Sequence, residues 1–570
     1  MNMKDIRRNF QALWIIIAPL LMSPLLLFHS KAMACAYGIL VISSFWIVEV
    51  APIAVTALLP ILVFPVLGII STKEICSTYL KDTSMLFLCT LMISLAVEES
   101  NLHHRLALFM LSKFGGNPLS LIIGMMLVVS FISFWISDTA TTVLMVPITI
   151  AILESMMNGR TTAIDMKLSK RQGTVRERLQ FDRLSVGDRS LSKALILICS
   201  HGSLIGGTAV ITSTGPNLVF REQIHTMLGE TNSKITFISW MEFALPPLIF
   251  YMIASLISIL LVFYGPKGML KLFAATSKED RTKAKVATLT LAKAYAELGP
   301  MSFAEKSVLG WMLFVVVAWI LRAPGFTEGW AQLFFGPDGK LLTDTSIGIF
   351  VVFVLFVWPK KSPRFIAAVR PYQNSHAKTE VASSLATEGE EALLTWNAVQ
   401  RRFPWSVILL IGAGFAISEA VKKSCLEDLI SERTRDALSD VSPIVVQAAV
   451  TTVITFMTEF ASNVATASVF VPIALNLAVS LGVHPLYLGL PSAIAPSFSF
   501  MFPMATAPNA IVYDTNVITM LEMASAGMIL NVLCIAITTL NMNTWAYWLF
   551  NLGTLPSSNH YLLVNSTCIQ

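Results

Sequence analysis

Charge is what this chain has least of. Lys, Arg, Asp and Glu make up 13% of its 570 residues, against roughly 25% in a soluble globular chain. That deficit excludes a water-soluble enzyme or binding module. The net charge of +5 comes with no concentrated basic patch, which excludes a nucleic-acid surface and reads as loop bias towards the cytoplasm. No Walker A sequence is present, which argues against an ATP-driven pump. The seven cysteines show no paired zinc or redox spacing. Cys89, Cys199 and Cys534 lie in apolar stretches, so the cysteines read as small packing residues. Neither a nucleophile–base pairing nor a metal-ligand cluster stands out, so neither an enzyme nor a cofactor is expected.

What the chain has instead is apolar length. Apolar residues are 55% of the total and the mean hydropathy is +0.69, which implies an all-α polytopic membrane protein with about 11 spans of roughly 20 residues. The apolar run at 13–28 follows Lys4, Arg7 and Arg8, with no clean small-residue cleavage site after it, so it is expected to stay as a first span. The runs at 119–157 and 443–481 are interrupted and read as re-entrant hairpins with broken helices. Segments 158–193 and 266–306 hold nine and eight Lys or Arg, and 359–402 is again basic, whereas 551–570 has none. This bias predicts a cytoplasmic N-terminus, flexible cytoplasmic loops at 158–193 and 266–306, and an extracellular C-terminus. Asn565-Ser566-Thr567, a glycosylation triplet in the tail, agrees with an outside location.

One pattern occurs twice. Ser137-Asp138-Thr139-Ala140-Thr141-Thr142 runs on to Pro147-Ile148, and Ser462-Asn463-Val464-Ala465-Thr466-Ala467 runs on to Pro472-Ile473. The ungapped twelve-residue blocks agree at six positions. Ser133 and Thr458 each stand four residues before the leading Ser, and Thr214-Gly215-Pro216-Asn217 is echoed by Thr506-Ala507-Pro508-Asn509. A lone Ser or Thr in a membrane helix ordinarily just lets helices pack. Matched hydroxyl-rich breaks in two apolar regions instead point to a transporter built from two related halves. Short polar residues cap helices and compete with helical hydrogen bonds. Half-helix N-termini favour an oxyanion, and unwound carbonyls, hydroxyls and Asx oxygens suit a small alkali cation.

At these residues the chain resembles the divalent anion/sodium symporter family, whose animal branch carries di- and tricarboxylates or sulfate with sodium. The likeness extends from Trp46-Ile47-Val48-Glu49 to about residue 545. It takes in Lys81-Asp82-Thr83, Asn101-Leu102-His103-His104, Gly206-Gly207-Thr208, Gly412-Ala413-Gly414-Phe415 and His484-Pro485-Leu486-Tyr487. The resemblance implies inverted-topology repeats and a plasma-membrane homodimer with a scaffold part and an elevator-type transport part. The N-terminal spans at 1–80 and the spans and linker at 307–402 would be scaffold. Residues 81–265 and 403–548 would hold the repeats, 266–306 a loop and 549–570 the tail. It implies a first sodium site at Ser133, Ser137, Asp138 and the Ser213 backbone. The second would use Thr458, Asn463 and the backbone of Ala461 and Ala505. Substrate would touch Ser137, Asp138, Thr139, Ser462, Asn463, Val464, Thr506 and Pro508. The Ser-Asn-Val motif and the Thr before Ala507-Pro508 resemble the carboxylate branch. Sulfate symport and a proton-linked or exchange-type carboxylate carrier remain the alternatives.

Three positions depart from the family pattern. Asp138 stands where Asn is usual, Ser213 where Gly is common and Ala507 where Pro is common. The added charge at Asp138 implies tighter sodium binding, neutralisation by sodium or transport that depends on external pH. The Ser213 hydroxymethyl would narrow the pocket against citrate relative to succinate. Other ionisable residues at membrane depth are candidates by default. Glu98 and Glu99 beside His103, His104 and Arg105 suggest an ion-pair cluster. Glu459 suggests support behind the second cation site, and Glu49 divides between structure and gating. The aromatic run Phe498, Phe500 and Phe502 reads as packing, and His201, beside Gly202-Ser203, divides between facing the site and a hydrogen bond within the bundle.

Overall fold

The computed structural model describes residues 3–48, 50–114, 117–158, 174–229, 234–274, 278–322, 324, 327–362, 391–426, 429 and 441–555. Glu49 and Asn565 lie outside them. Among the described residues, eight helices are long and apolar enough to cross a bilayer, and five shorter apolar helices accompany them.

The helices that carry the argument are, in order, α1 (Met3–Met22), α2 (Lys31–Val48), α3 (Asp82–Glu99), α4 (Leu102–Leu111), α5 (Pro118–Ser133), α6 (Asp138–Asn158), α7 (Val186–Gly206), α8 (Gly215–Leu228) and α9 (Phe237–Ala274). There follow α10 (Lys278–Glu297), α11 (Phe303–Arg322), α12 (Asp344–Val357), α13 (Trp405–Lys423), α14 (Pro443–Met457), α15 (Asn463–Ser480), α16 (Pro485–Ile494), α17 (Ala507–Tyr513) and α18 (Met520–Met542).

The same order of elements occurs twice. A helical hairpin (α5–α6, then α14–α15) is followed by a helix that unwinds and restarts (α7–α8, then α16–α17), and then by a long helix (α9, then α18). The 16 residues of α5 and 15 of α14 rise only about 24 Å at 1.5 Å each, short of a roughly 30 Å hydrocarbon core. Each therefore turns back as a hairpin, and the tips at 134–137 and 458–462, which end on Ser137 and Ser462, fall at depth. The two repeats are interleaved: α8 of the first packs on α15 of the second, α6 packs on α17, and α9 packs along α18.

One turn of α8 is fastened to three other helices. Arg221 Nη2 lies 2.5 Å from Asp344 Oδ2 at the head of α12. Glu222 takes a hydrogen bond of 2.6 Å from Thr83 Oγ1 and faces Lys81 Nζ at 3.2 Å, at the start of α3. Gln223 accepts from Ser418 Oγ of α13 at 2.6 Å. This fixes the middle of α8, about two turns from the end that lines the site.

Three sequence expectations are corrected. Segment 266–306 is not a flexible loop, because α10 occupies 278–297 and packs on α4 and α6, with Thr290 Oγ1 bonded to Ser155 Oγ at 2.5 Å. Its polar composition conceals one buried stripe, Ala287, Thr290, Leu291 and Ala294, with the i, i+3, i+4, i+7 spacing of a helix face. Arg105 does not join Glu98 and Glu99. It pairs with Glu305 at 2.8 Å and donates to the Gly299 carbonyl at 2.7 Å, while Glu99 pairs with Arg402 at 2.8 Å. Among the described residues five cysteines, including Cys89, Cys199 and Cys534, are free, but Cys425 is disulfide-bonded and so is more than a packing residue.

Candidate functional site

The hairpin breaks form because the Asx and hydroxyl side chains satisfy what the helices leave open. At the first tip Ser137 caps α6, its Oγ accepting from Ala140 N–H at 3.4 Å and its carbonyl from Thr141 N–H at 2.9 Å. Ser462 does the same for α15, accepting from Ala465 N–H at 3.2 Å and Thr466 N–H at 2.9 Å. The residue four before each cap reaches across the break. Ser133 Oγ lies 2.9 Å from Asp138 Oδ1 and 2.8 Å from the Ser203 carbonyl. Thr458 Oγ1 lies 3.0 Å from Asn463 Oδ1 and 2.9 Å from the Pro496 carbonyl.

The unwound links repeat just as closely. Asn217 Nδ2 donates to the Gly207 and Val210 carbonyls at 3.3 and 3.0 Å. Asn509 Nδ2 donates to Ser499 and Phe502 at 2.8 and 3.0 Å. Both asparagines thus hold the carbonyls ten and seven residues before them, which is the physical content of the Pro-Asn echo. Ser200 Oγ of the first repeat donates to Asn509 Oδ1 of the second, joining the halves at this level. Glycine is needed where the links come closest. A Cβ at Gly207 would strike Asp138 Oδ1 and Thr214 Cγ2, and one at Gly215 would lie 2.5 Å from Val464 Cγ2.

A cavity of about 770 Å³ opens between the repeats, within the range of small-molecule sites. Ser137, Asp138, Thr139 and Ala140 at the head of α6 line it. So do Ser213, Thr214, Gly215 and Pro216 at the head of α8, and Asn463 and Val464 at the head of α15. Three helix N-termini from two repeats therefore converge on one space, each bringing partial positive charge and N–H groups. At its far side the cavity reaches Glu98, Asn101, His103 and Arg402.

Of the residues expected to touch substrate, Ser137, Asp138, Thr139, Asn463 and Val464 share this cavity. Ser462, Thr506 and Pro508 do not line it: the first caps α15, Thr506 caps α17 by accepting from Asn509 N–H at 3.5 Å, and Pro508 is buried in the first turn of α17. Ser133–Asp138 and Thr458–Asn463 are in contact as the cation reading requires. Ser213 lines the cavity beside them; Ala461 stands two residues before Asn463, and Ala505, whose N–H donates to the Phe502 carbonyl at 3.1 Å, lies in the second unwound link.

Three contributors escaped the sequence reading: the Ser203 and Pro496 carbonyls, and Ser499, whose Oγ donates to Asn463 Oδ1 at 3.1 Å. Glu459 holds the backbone of the second unwound link. It is fully buried and accepts from the N–H groups of Phe500, Met501 and Phe502 at 2.9 to 3.3 Å and from Asn531 Nδ2 at 2.8 Å. His201 is buried, bonded to Ser255 Oγ at 3.2 Å and tilted against the Phe500 ring at 5.1 Å between centroids, away from the cavity wall.

Paired hairpins, restarted helices and a polar cavity between interleaved repeats define a secondary transporter of the broken-helix kind. The sodium:sulfate symporter transmembrane region matches residues 5–552, and the chain belongs to that family. It is 42% identical over 556 residues to the sodium-dependent high-affinity dicarboxylate transporter 2 of Caenorhabditis elegans, covering 97% of each chain. It is 34% identical over 568 residues to the rat (Rattus norvegicus) Na(+)/citrate cotransporter, again covering 97% of each. Among solved structures it is similar to the YdaH transporter of Alcanivorax borkumensis, with a TM-score of 0.50, 11% identity and coverage of 83% of this chain and 87% of that one. That likeness concerns the fold alone.

Proposed function

We propose that this protein is a sodium-coupled symporter of di- and tricarboxylates, taking succinate- or citrate-like anions across the plasma membrane as a homodimer with an elevator motion. The observation that carries the reading is the convergence of three helix N-termini, at Asp138, Gly215 and Asn463, on one cavity with an oxygen cluster beside each motif. N–H groups and dipoles suit the carboxylates, and the clusters suit a small hard cation. Ser137, Asp138, Thr139, Asn463 and Val464 would contact the anion. Sodium would be held at Ser133, Ser137, Asp138 and the Ser213 backbone, and at Thr458, Asn463 and the backbone of Ala461 and Ala505.

The relatives named for dicarboxylate and citrate favour carboxylates over the sulfate of the family description. The basic segments around Arg176–Arg189 and Arg401–Arg402 favour a cytoplasmic face on their side, and the disulfide-bonded Cys425 favours an oxidising space beyond α13. Because the cavity reaches Arg402, it would then open inwards.

Parallel uptake of labelled succinate, citrate and sulfate, in sodium and with choline replacing it, tests the reading. Sodium-dependent accumulation of a carboxylate is expected. Sulfate preference would move the protein to the sulfate branch. Carboxylate uptake indifferent to choline would make it a proton-linked or exchange-type carrier.

A further inference from the structure

The two oxygen clusters are built alike but balanced differently. In the first, the Ser133 hydroxyl lies 2.9 Å from Asp138 Oδ1 and 2.8 Å from the Ser203 carbonyl, which also accepts the Gly207 N–H at 3.0 Å. Among the described residues no other side chain donates to the Asp138 carboxylate and no basic side chain pairs with it. In the second, Thr458 Oγ1 faces Asn463 Oδ1 and the Pro496 carbonyl, and Ser499 Oγ brings another hydrogen to Asn463 Oδ1 at 3.1 Å. Two hydroxyl hydrogens thus serve two neutral acceptors. Glu459 does not repair the difference, because its oxygens are taken by three backbone N–H groups and Asn531.

The first cluster therefore centres on a carboxylate with a single side-chain donor, whereas the second centres on a neutral amide oxygen that already holds two. A cation at the first meets an unpaired carboxylate, and contacts to a charged group are roughly twice as strong as neutral ones. A cation at the second must displace existing hydrogen bonds before it gains any contact.

We propose that the two cation sites load in a fixed order: the Ser133–Asp138 site fills first, at low sodium, and the Thr458–Asn463 site fills only at higher sodium. This rests on the sodium-coupled reading above. It makes a singly loaded protein a distinct intermediate of the cycle and assigns the two sites different sodium thresholds.

The test is the melting temperature of the purified full-length protein titrated with sodium chloride at constant ionic strength, choline chloride making up the balance. A cation that binds the folded state raises stability by RT ln(1 + c/Kd) at free concentration c, so each site begins to contribute only as sodium passes its own dissociation constant. Plotted against log sodium, the wild-type melting temperature is expected to steepen at two separate concentrations, a lower and an upper step. Asp138→Asn should move the lower step to about tenfold higher sodium, the loss of roughly one charged ligand contact, and leave the upper step in place. Asn463→Asp, which gives the second cluster its own carboxylate, should draw the upper step down towards the lower one. If Asp138→Asn is too unstable to purify, the Asn463→Asp titration decides alone. An unchanged lower step in Asp138→Asn, or an unchanged upper step in Asn463→Asp, overturns the order. A wild type that gains equally from choline and sodium overturns the sodium reading itself, which is a different outcome.

Discussion

In the first repeat the acidic residue is Asp138, at the head of α6 and on the cavity wall. In the second it is Glu459, four residues before the head of α15 and fully buried behind the unwound link. The equivalent positions are Asn463 and Phe134. Each half thus keeps one carboxylate at its motif, spent differently. Asp138 accepts one hydroxyl and keeps its remaining oxygen capacity for the cavity, while Glu459 uses its capacity to hold the backbone of 500–502. Duplication supplied one geometry twice, and substitution made one copy reactive and the other rigid.

Exchanging these roles should give the largest effect. Glu459→Ala leaves three buried N–H groups and the Asn531 amide without an acceptor. At about 1–3 kcal/mol for each orphan, the loss is a large part of a stability of about 5–15 kcal/mol. The variant is expected to fail to reach the cell surface or to melt far below wild type. Phe134→Ala, at the matching position of the first repeat, removes a partly buried ring and should cost about 1–2 kcal/mol, less than a fully buried Phe. Melting and surface-expression measurements on the two variants decide it. Equal losses would end the claim that the halves are held differently.

The asparagines give a smaller contrast in the same direction. Asn509 holds two carbonyls and takes Ser200 from the other repeat, so Asn509→Ala should cost about 2–3 kcal/mol. Asn217 holds two carbonyls that Ser213 Oγ also serves, and its own Oδ1 has no protein partner, so Asn217→Ala should cost only about 1 kcal/mol. Combining Asn217→Ala with Ser213→Ala removes that reserve, and the pair should cost more than the two single changes added together. Thermal melts of all four proteins are the measurement, and strict additivity would show that Ser213 and Asn217 do not share the carbonyls.

Much of this was legible in the residues. The twin Ser-Asx blocks, the hydroxyl four before each, the Pro-Asn echo and the short hairpin helices all lie in contiguous sequence, because each records a local backbone need. What was hidden is of two kinds. The Ser203 and Pro496 carbonyls act through the main chain, which every residue possesses, so no side-chain pattern marks them. Ser200–Asn509, Ser499–Asn463, Arg105–Glu305 and Arg221–Asp344 join residues that only the interleaving of helices brings together. The proximity of Glu98 to Arg105 along the chain suggested a cluster that helix direction forbids. Helix α10 was missed because its apolar face is narrow and its remaining surface reads as loop.

Ser213 marks the finest difference between the halves, since its counterpart in the second unwound link is Ala505. The sequence suggested that its hydroxymethyl narrows the pocket against citrate. Its hydroxyl, however, is turned onto the Gly207 carbonyl and onto Val210 at 2.7 Å. It therefore stiffens the link more than it fills the cavity. Ser213→Gly should lower the melting point by roughly 1 kcal/mol's worth, through the lost hydrogen bond and the added backbone freedom. It should change the citrate-to-succinate uptake ratio by less than about threefold, since one missing carbon in a pocket is worth at most a few kcal/mol and this hydroxyl does not face the space. A tenfold rise in that ratio would mean that the hydroxyl leaves its carbonyls during transport, and that the first link is remade in each cycle while the second, clamped by Glu459, is not.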